Sequence, residues 1–251
     1  MADQSYAAIA AARHRRKRRP RLILYLFALF LALLAAAAVE GLLSQATPQA
    51  LLDLEARNPE TQSYVRNYET RKDTHAVIDL SADVTPGTVP HFLQWDERWG
   101  YETYGGSTVE DMMGLSGCGP TALSMVAVAL TGDLNWNPLA VAQYAEANGH
   151  YSPGSGTAWS LFSEGSAGLG LTCRELPLDQ TTMASALNGG ELLIASMGPG
   201  DFTEKGHFIV LCGWDGAAFA IRDPNSKANT ARTWTYGVLE SQIRGLWAFS
   251  G

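Results

Sequence analysis

The stretch Leu-Ser-Gly-Cys-Gly-Pro-Thr at residues 115–121, with the apolar run behind it, constrains this chain more than any other segment. Ala122, Leu123, Met125, Val126, Ala127, Val128, Ala129 and Leu130 put apolar side chains on all sides of a helix. Such a helix runs through a core, not along a surface. Pro120 suits a first helical turn, and Gly132-Asp133 supplies a stop. Cys118 is thereby placed at or just before the N-terminus of a buried helix. Unpaired N–H groups and the helix dipole favour negative charge there, and hence a thiolate. Gly117 and Gly119 let the backbone turn tightly and leave the sulfur open to approach. Two readings stand side by side at this point: a nucleophile, and a core cysteine that only packs.

The chain is long enough for one good domain plus appendages, and 46% hydrophobic with 17% charged residues makes it globular. The net charge of −7 is unevenly spread. Residues 1–21 hold seven of the 18 Lys and Arg and one acid, so the remainder carries 11 basic and 24 acidic groups, about −13. An acidic body argues against nucleic acid as the partner. Three cysteines, at 118, 173 and 212, make no disulfide framework. Cys173 and Cys212 could pair, but both fall in expected strands, and two buried thiols is the favoured reading. There is no Cys-x-x-Cys, His-Glu-x-x-His or phosphate-binding glycine loop, so no metal or cofactor is expected.

Residues 13–21, Arg-His-Arg-Arg-Lys-Arg-Arg-Pro-Arg, precede 18 uncharged residues from Leu22 to Val39, which Gly41-Leu42-Leu43 could extend. That length just meets the requirement for a membrane-spanning helix. The basic flank would hold the N-terminus in the cytoplasm and place the rest outside. Three readings compete. A single-pass anchor over 22–43 behind a cytoplasmic tail, residues 1–21, is favoured. A cleaved signal peptide with cut sites at Ala35–Ala38, giving a secreted protein, comes second; its apolar core would be long for one. A nucleic-acid role for the basic run is remote. Residues 44–86 read as linker and helical arm. Pro48 opens one helix over 49–57 and Pro59-Glu60 another over 61–70, whose Tyr64, Val65 and Tyr68 form a stripe that needs a surface to cover. The turn Val84–Val89 marks the start of the main domain, residues 87–251.

Within that domain, His91–Asp96 is strand-like and carries Gln94, 24 residues before Cys118. A side-chain amide near a nucleophile can donate to a developing oxyanion, although a lone glutamine is most often a surface residue. His91 has the opposite strand parity and is discounted. Trp95, Trp99, Tyr101 and Tyr104 suit either a cleft wall or a core. Helices are expected from Asn137-Pro138 to Gly149, over 158–167 and over 178–187, and strands over 171–175 and 191–197. Helices first and strands later is an α+β order.

His207–Gly213 and Ala217–Asp223 then read as a hairpin. A two-residue Asp-Gly turn would point Asp223 away from His207. A three-residue loop with Gly216 in the left-handed position pairs Gly213 with Ala217 and sets His207 directly across from Asp223. The three-residue loop is the expectation, and one residue of register decides whether the pair exists. Taken singly, His207 is a strand-end residue and Asp223 the start of an Asp-Pro-Asn-Ser turn.

Four motifs combine: Phe-Leu-Gln-Trp-Asp-Glu-Arg-Trp-Gly with Gln94, Ser-Gly-Cys-Gly-Pro-Thr with Cys118, Gly-His-Phe-Ile-Val-Leu-Cys-Gly-Trp with His207, and Arg-Asp-Pro-Asn-Ser with Asp223. In this order they resemble the C39-like cysteine peptidase domain, a papain-like fold group related to the peptidase domain of bacteriocin-exporting transporters. The likeness covers about residues 88–250, with some similarity at Asn58-Pro59-Glu60. It implies a papain-like α+β fold with a central buried helix packed on an antiparallel sheet. It further implies Cys118 as nucleophile, His207 as base, Asp223 as orienter and Gln94 as oxyanion donor, acting on a peptide or protein substrate without metal or cofactor. No transporter domain follows, so peptide export is not carried over. A bacterial cell-surface location is what the resemblance suggests. Two alternatives stay open: a thiol amidase or transpeptidase on cell-wall peptides, and a non-catalytic surface-anchored binding module.

Overall fold

The structure is a computed structural model that describes residues 23–39, 47–75, 77–154 and 156–251. Residues 23–39 form helix α1, whose apolar side chains are exposed. It belongs to a unit that ends at Pro48, separate from the unit Gln49–Gly251. No helix among the described residues is long and apolar enough to cross a membrane. The spanning helix expected over 22–43 is therefore not found among them; residues 22 and 40–43, the 1–21 tail and 44–46 of the linker lie outside the described residues.

The second unit begins with α2 (Gln49–Arg57), a 3-10 turn over Pro59–Thr61 and α3 (Gln62–Arg71). Their buried side chains Leu51, Leu54, Tyr64, Val65 and Tyr68 pack with Trp95, Tyr101 and Met112. Tyr64 stacks on Tyr101 at 4.5 Å between centroids. The stripe that needed a surface thus covers one, and the tryptophans and tyrosines at 95–104 are buried. Next come α4 (Met113–Ser116), α5 (Cys118–Thr131) and α6 (Pro138–Ala147), then the short hairpin β1 (Tyr151–Ser152) and β2 (Gly156–Thr157), and α7 (Ser160–Ser163). Every residue of α5 from Gly119 to Val128 is buried, and Gly132 ends the helix with φ +72°. Asn137 caps α6 through Ala140 N–H, with Pro138 at its start.

The chain continues with β3 (Thr172–Glu175), α8 (Gln180–Asn188), β4 (Leu192–Met197), β5 (His207–Trp214), β6 (Phe219–Arg222), α9 (Lys227–Thr230), β7 (Thr233–Trp234), α10 (Tyr236–Glu240) and β8 (Ile243–Ser250). The six strands β3 to β8 form one antiparallel sheet in the order β3-β8-β4-β5-β6-β7. Alternation divides its side chains between two cores. Ile194, Phe208, Val210, Trp247 and Phe249 join α5 and α6 on one face. Leu193, Ala195, Ile209, Leu211 and Ala248 join Met183 of α8 and Leu239 of α10 on the other. Both faces are covered, which is why β4 and most of β5 read as continuous apolar runs.

Several expectations need correction. His91–Asp96 is not a strand but a looped segment fastened by Gln94 N–H donating to Pro224 O at 2.8 Å. The helix expected over 158–167 is only α7 followed by a 3-10 turn, Gly165–Leu169. The hairpin pairs Trp214 with Phe219 and Leu211 with Ile221, and Cys212 is the extra residue of a bulge. Its loop is four residues, 215–218, because the Asp215 carboxylate accepts both Ala217 and Ala218 N–H at 2.8 Å. Cys173 and Cys212 are free. They lie on β3 and β5, three strand spacings apart at about 4.8 Å each, beyond disulfide reach. Both residues are partly buried against the core, not fully enclosed.

Candidate active site

Cys118 is the first residue of α5. Gly117 at the cap offers no side chain, so no side-chain cap competes for the positive end of the helix. Gly119 lies so close to the β1–β2 hairpin that a Cβ there would collide with the Thr157 side chain. The glycines flanking the thiol therefore serve close packing as well as access.

His207 opens β5 and is buried, with 6% of its surface exposed. Its Nε2–H donates to Asp223 Oδ1 at 2.7 Å. The register that joins them differs from the expected one. Val210 pairs with Arg222, so extending the ladder one step sets Asp223 opposite Ile209, with His207 two residues on along the same face. Diagonal neighbours on one face remain within reach of a long or aromatic side chain, and the contact forms without direct opposition. Asp223 is 1% exposed. Asn225 N–H also donates to Oδ1 at 2.8 Å, and Asn229 Nδ2 donates to Oδ2 at 2.8 Å. From behind, Asp223 N–H donates to Thr230 Oγ1 at 2.9 Å, and His91 Nε2–H donates to the Asp223 carbonyl at 2.7 Å.

The electrostatics follow from these contacts. Burial disfavours a charged imidazole, but the Asp223 charge and hydrogen bond outweigh it, aided by a hydrogen bond with Cys118, and raise the His207 pKa to about 10. Burial likewise works against a charged Asp223, yet His207 and the two asparagine donors hold it below the usual carboxylate range. Each partner thus favours the charged form of the other. With Nε2 engaged by Asp223, Nδ1 is the ring nitrogen left for the Cys118 thiol. Burial keeps His91 below the usual histidine range, offset only in part by its bond to the Asp223 carbonyl.

Gln94 is buried beside them. Its Nε2 donates to Gly114 O at 3.0 Å, which fixes the amide's orientation and leaves one N–H. Among the described residues its buried Oε1 has no hydrogen-bond partner. A groove crosses the site in two lobes that share Cys118 and His207. One, about 740 Å³, runs under the β1–β2 hairpin past Trp159. The other, about 550 Å³, runs past Gln94 between Leu54, Arg57 and Asn58 of the arm and the loop 200–206.

The four residues singled out in the sequence, Gln94, Cys118, His207 and Asp223, thus meet at this groove or directly behind it. Asn58, Glu60 and Asn225 lie in segments the sequence singles out but have no role assigned there, His91 is discounted, and Asn229 carries no signal. The strand parity that discounts His91 does not apply to a looped segment. Asn225 has a turn signal but no partner visible in sequence. Among the described residues no group of three or more His, Cys, Asp or Glu side chains is arranged to hold a metal ion.

A family model described as Peptidase_C39 like family matches residues 87–249. Among solved structures, the chain is similar to the peptidase domain of Streptococcus ComA, a bi-functional ABC transporter involved in a quorum sensing pathway. That match has 20% identity over 54% of this chain and 91% of that one, with a TM-score of 0.41. It is also similar to a Bacillus anthracis protein described as a C39-like peptidase, at 15% identity over 65% of this chain and 94% of that one, with a TM-score of 0.38. No curated protein matches.

Proposed function

Because the chain belongs to the Peptidase_C39 like family, we propose that it is a cysteine peptidase whose nucleophile is Cys118, served by His207, Asp223 and Gln94. The observation that carries this reading is the buried His207–Asp223 pair, 2.7 Å apart, lining the same groove as a thiol at a helix start. The proton of Cys118 rests on His207 Nδ1, so the two groups form a thiolate–imidazolium pair before the substrate arrives. The sulfur forms a bond to the scissile carbonyl carbon, and the carbonyl π electrons move to oxygen. The Gln94 N–H that Gly114 does not use, with the Cys118 backbone N–H, receives that oxyanion. The C–N bond then breaks as His207 returns the proton to the leaving amine, and a water activated by the neutral ring hydrolyses the thioester. Asp223 stays ionised throughout and holds the ring in one tautomer. Two lobes that share Cys118 and His207 leave room for a substrate that continues beyond the scissile bond, as an internal peptide bond requires.

The basic block at 13–21 and the apolar helix α1 support attachment to a membrane by the N-terminus with the peptidase outside. Washing membranes with carbonate tests this: an anchored chain stays with the pellet, and release into the supernatant refutes it. For the activity, purified protein is incubated with a random peptide mixture and cleavage is read by mass spectrometry. Wild-type protein generates new termini and Cys118→Ala does not; equal cleavage by both ends the reading.

A further inference from the structure

The turn that carries Asp223 is clamped by a segment lying before residues 87–249, which the family model matches. In Asn58-Pro59-Glu60, Asn58 Oδ1 accepts Glu60 N–H at 3.1 Å and Pro59 opens the 3-10 turn, so the local sequence stiffens the segment by itself. Both polar side chains then reach across to the Asp223 turn. Asn58 Nδ2 donates to Asn225 O at 2.6 Å. Trp95 Nε1 donates to that same carbonyl at 3.0 Å. Glu60 Oε1 accepts from Ser226 Oγ at 2.9 Å and from Ala228 N–H at 3.1 Å, and Oε2 accepts Lys227 N–H at 2.8 Å.

Two of the three donors on the Asp223 carboxylate come from the loop clamped in this way. Asn225 donates its N–H, and its carbonyl is the one that Asn58 and Trp95 hold. Asn229 donates Nδ2, while its own N–H donates to Ser226 Oγ at 3.1 Å, the hydroxyl that Glu60 fixes. Helix α9 has only four residues and cannot hold its geometry unaided. The carboxylate of Glu60 accepts three donors from its start, while Trp234 Nε1 donates to Asn229 O at 3.1 Å from the other side.

We propose that Glu60 is a positioning residue for the catalytic pair, acting through Ser226 and α9 on Asn229 and thereby on Asp223 and His207, so that the arm 49–71 is a working part of the peptidase. This rests on the reading of Cys118, His207 and Asp223 as the catalytic groups. Charge-assisted bonds to a carboxylate set both its geometry and its ionisation. Releasing α9 lets Asn229 leave Asp223, and the imidazolium then loses part of its support.

The test uses the full chain and needs no identified substrate. Nitrogen-15 histidine labelling follows the titration of His207, and site-resolved mass spectrometry follows iodoacetamide alkylation of Cys118 at pH 6. The groups that face the ring are Asp223 and Cys118. Asp223→Asn serves as the positive control. Glu60→Ala is expected to lower the His207 titration by about half a unit or more and to slow Cys118 alkylation about three- to ten-fold. Glu60→Gln, which keeps one carbonyl acceptor, falls between Glu60→Ala and wild type. If Glu60→Ala does not fold, Glu60→Gln alone carries the test. A role limited to tethering the arm would lower thermal stability and leave both readouts of the folded protein unchanged. If Asp223→Asn moves both readouts and the Glu60 variants move neither, the proposal is overturned and the catalytic reading stands. If Asp223→Asn moves neither, the catalytic reading falls and takes the proposal with it.

Discussion

Replacing Asp223 with asparagine separates the charge of the buried pair from its shape. The side chain is 1% exposed and nearly isosteric with asparagine. An asparagine carbonyl in the Oδ1 position can still accept from His207 Nε2 and Asn225 N–H. The new amide nitrogen would face Asn229, which can turn its own amide to accept. The loss is therefore concentrated in one charge-assisted bond, worth about 1.5–3 kcal/mol, or about one to two pKa units on the imidazole. His207 is raised in the folded protein. Its contribution to stability is fully present below the unfolded value of about 6.5 and is lost as pH climbs through the folded one near 10. Asp223 is lowered, so its contribution is present above the unfolded value of about 3.9 and is lost as pH falls through the folded one. The wild-type advantage in thermal stability over Asp223→Asn should thus be widest between about pH 4 and 7 and shrink toward both extremes. The alkaline limb of kcat/KM should move down by about one to two pH units. The assay is a pH–rate profile on any cleaved peptide, beside melting curves at matched pH. An alkaline limb that stays in place, in a variant that has lost stability at neutral pH, refutes the coupling of Asp223 to the ring.

Gln94→Ala should lower kcat about 10²- to 10³-fold with little change in KM, since the amide is called on only when the oxyanion forms; a rise in KM at constant kcat would make it a substrate-binding residue instead. Gly119→Ala drives a methyl into the Thr157 side chain, and such overpacking costs about 1–3 kcal/mol. Thr157→Ser in the same chain should recover part of that loss in a denaturant titration, and no recovery places the strain elsewhere. Tyr64→Phe removes the hydroxyl that donates to Gly100 O at 2.6 Å in a buried contact between arm and domain. A loss of about 1–2 kcal/mol with normal cleavage is expected, and an unchanged melting point would show that this bond adds nothing.

The central helix is the most legible element, because eight apolar residues among the eleven between Pro120 and Gly132 leave little choice. Strands β4 and β5 were legible for the same reason. By contrast, β8 went unseen although it lies between β3 and β4 in the sheet. Arg244 and Gly245 interrupt its pattern, and only the neighbouring strands show that the run belongs to a core. The His207–Asp223 pair was found through a register that does not occur. The bulge at Cys212 and the Asp215 turn shift the ladder, yet the partners share a face by a diagonal route. The supports of Asp223 were illegible because each is a short-range polar residue whose partner is far away in sequence, as with Glu60 and Ser226.

Site-resolved alkylation of the native chain tests the central claim most directly, since Cys173 and Cys212 act as internal standards. Burial pushes the Cys173 thiol up to about 11 and raises Cys212 as well. With limiting iodoacetamide at pH 6, Cys118 should label at least about 10²-fold faster than either, and His207→Ala should remove most of that lead. A Cys118 that reacts no faster than Cys173 and Cys212, or whose lead survives His207→Ala, would contradict an activated nucleophile at this groove.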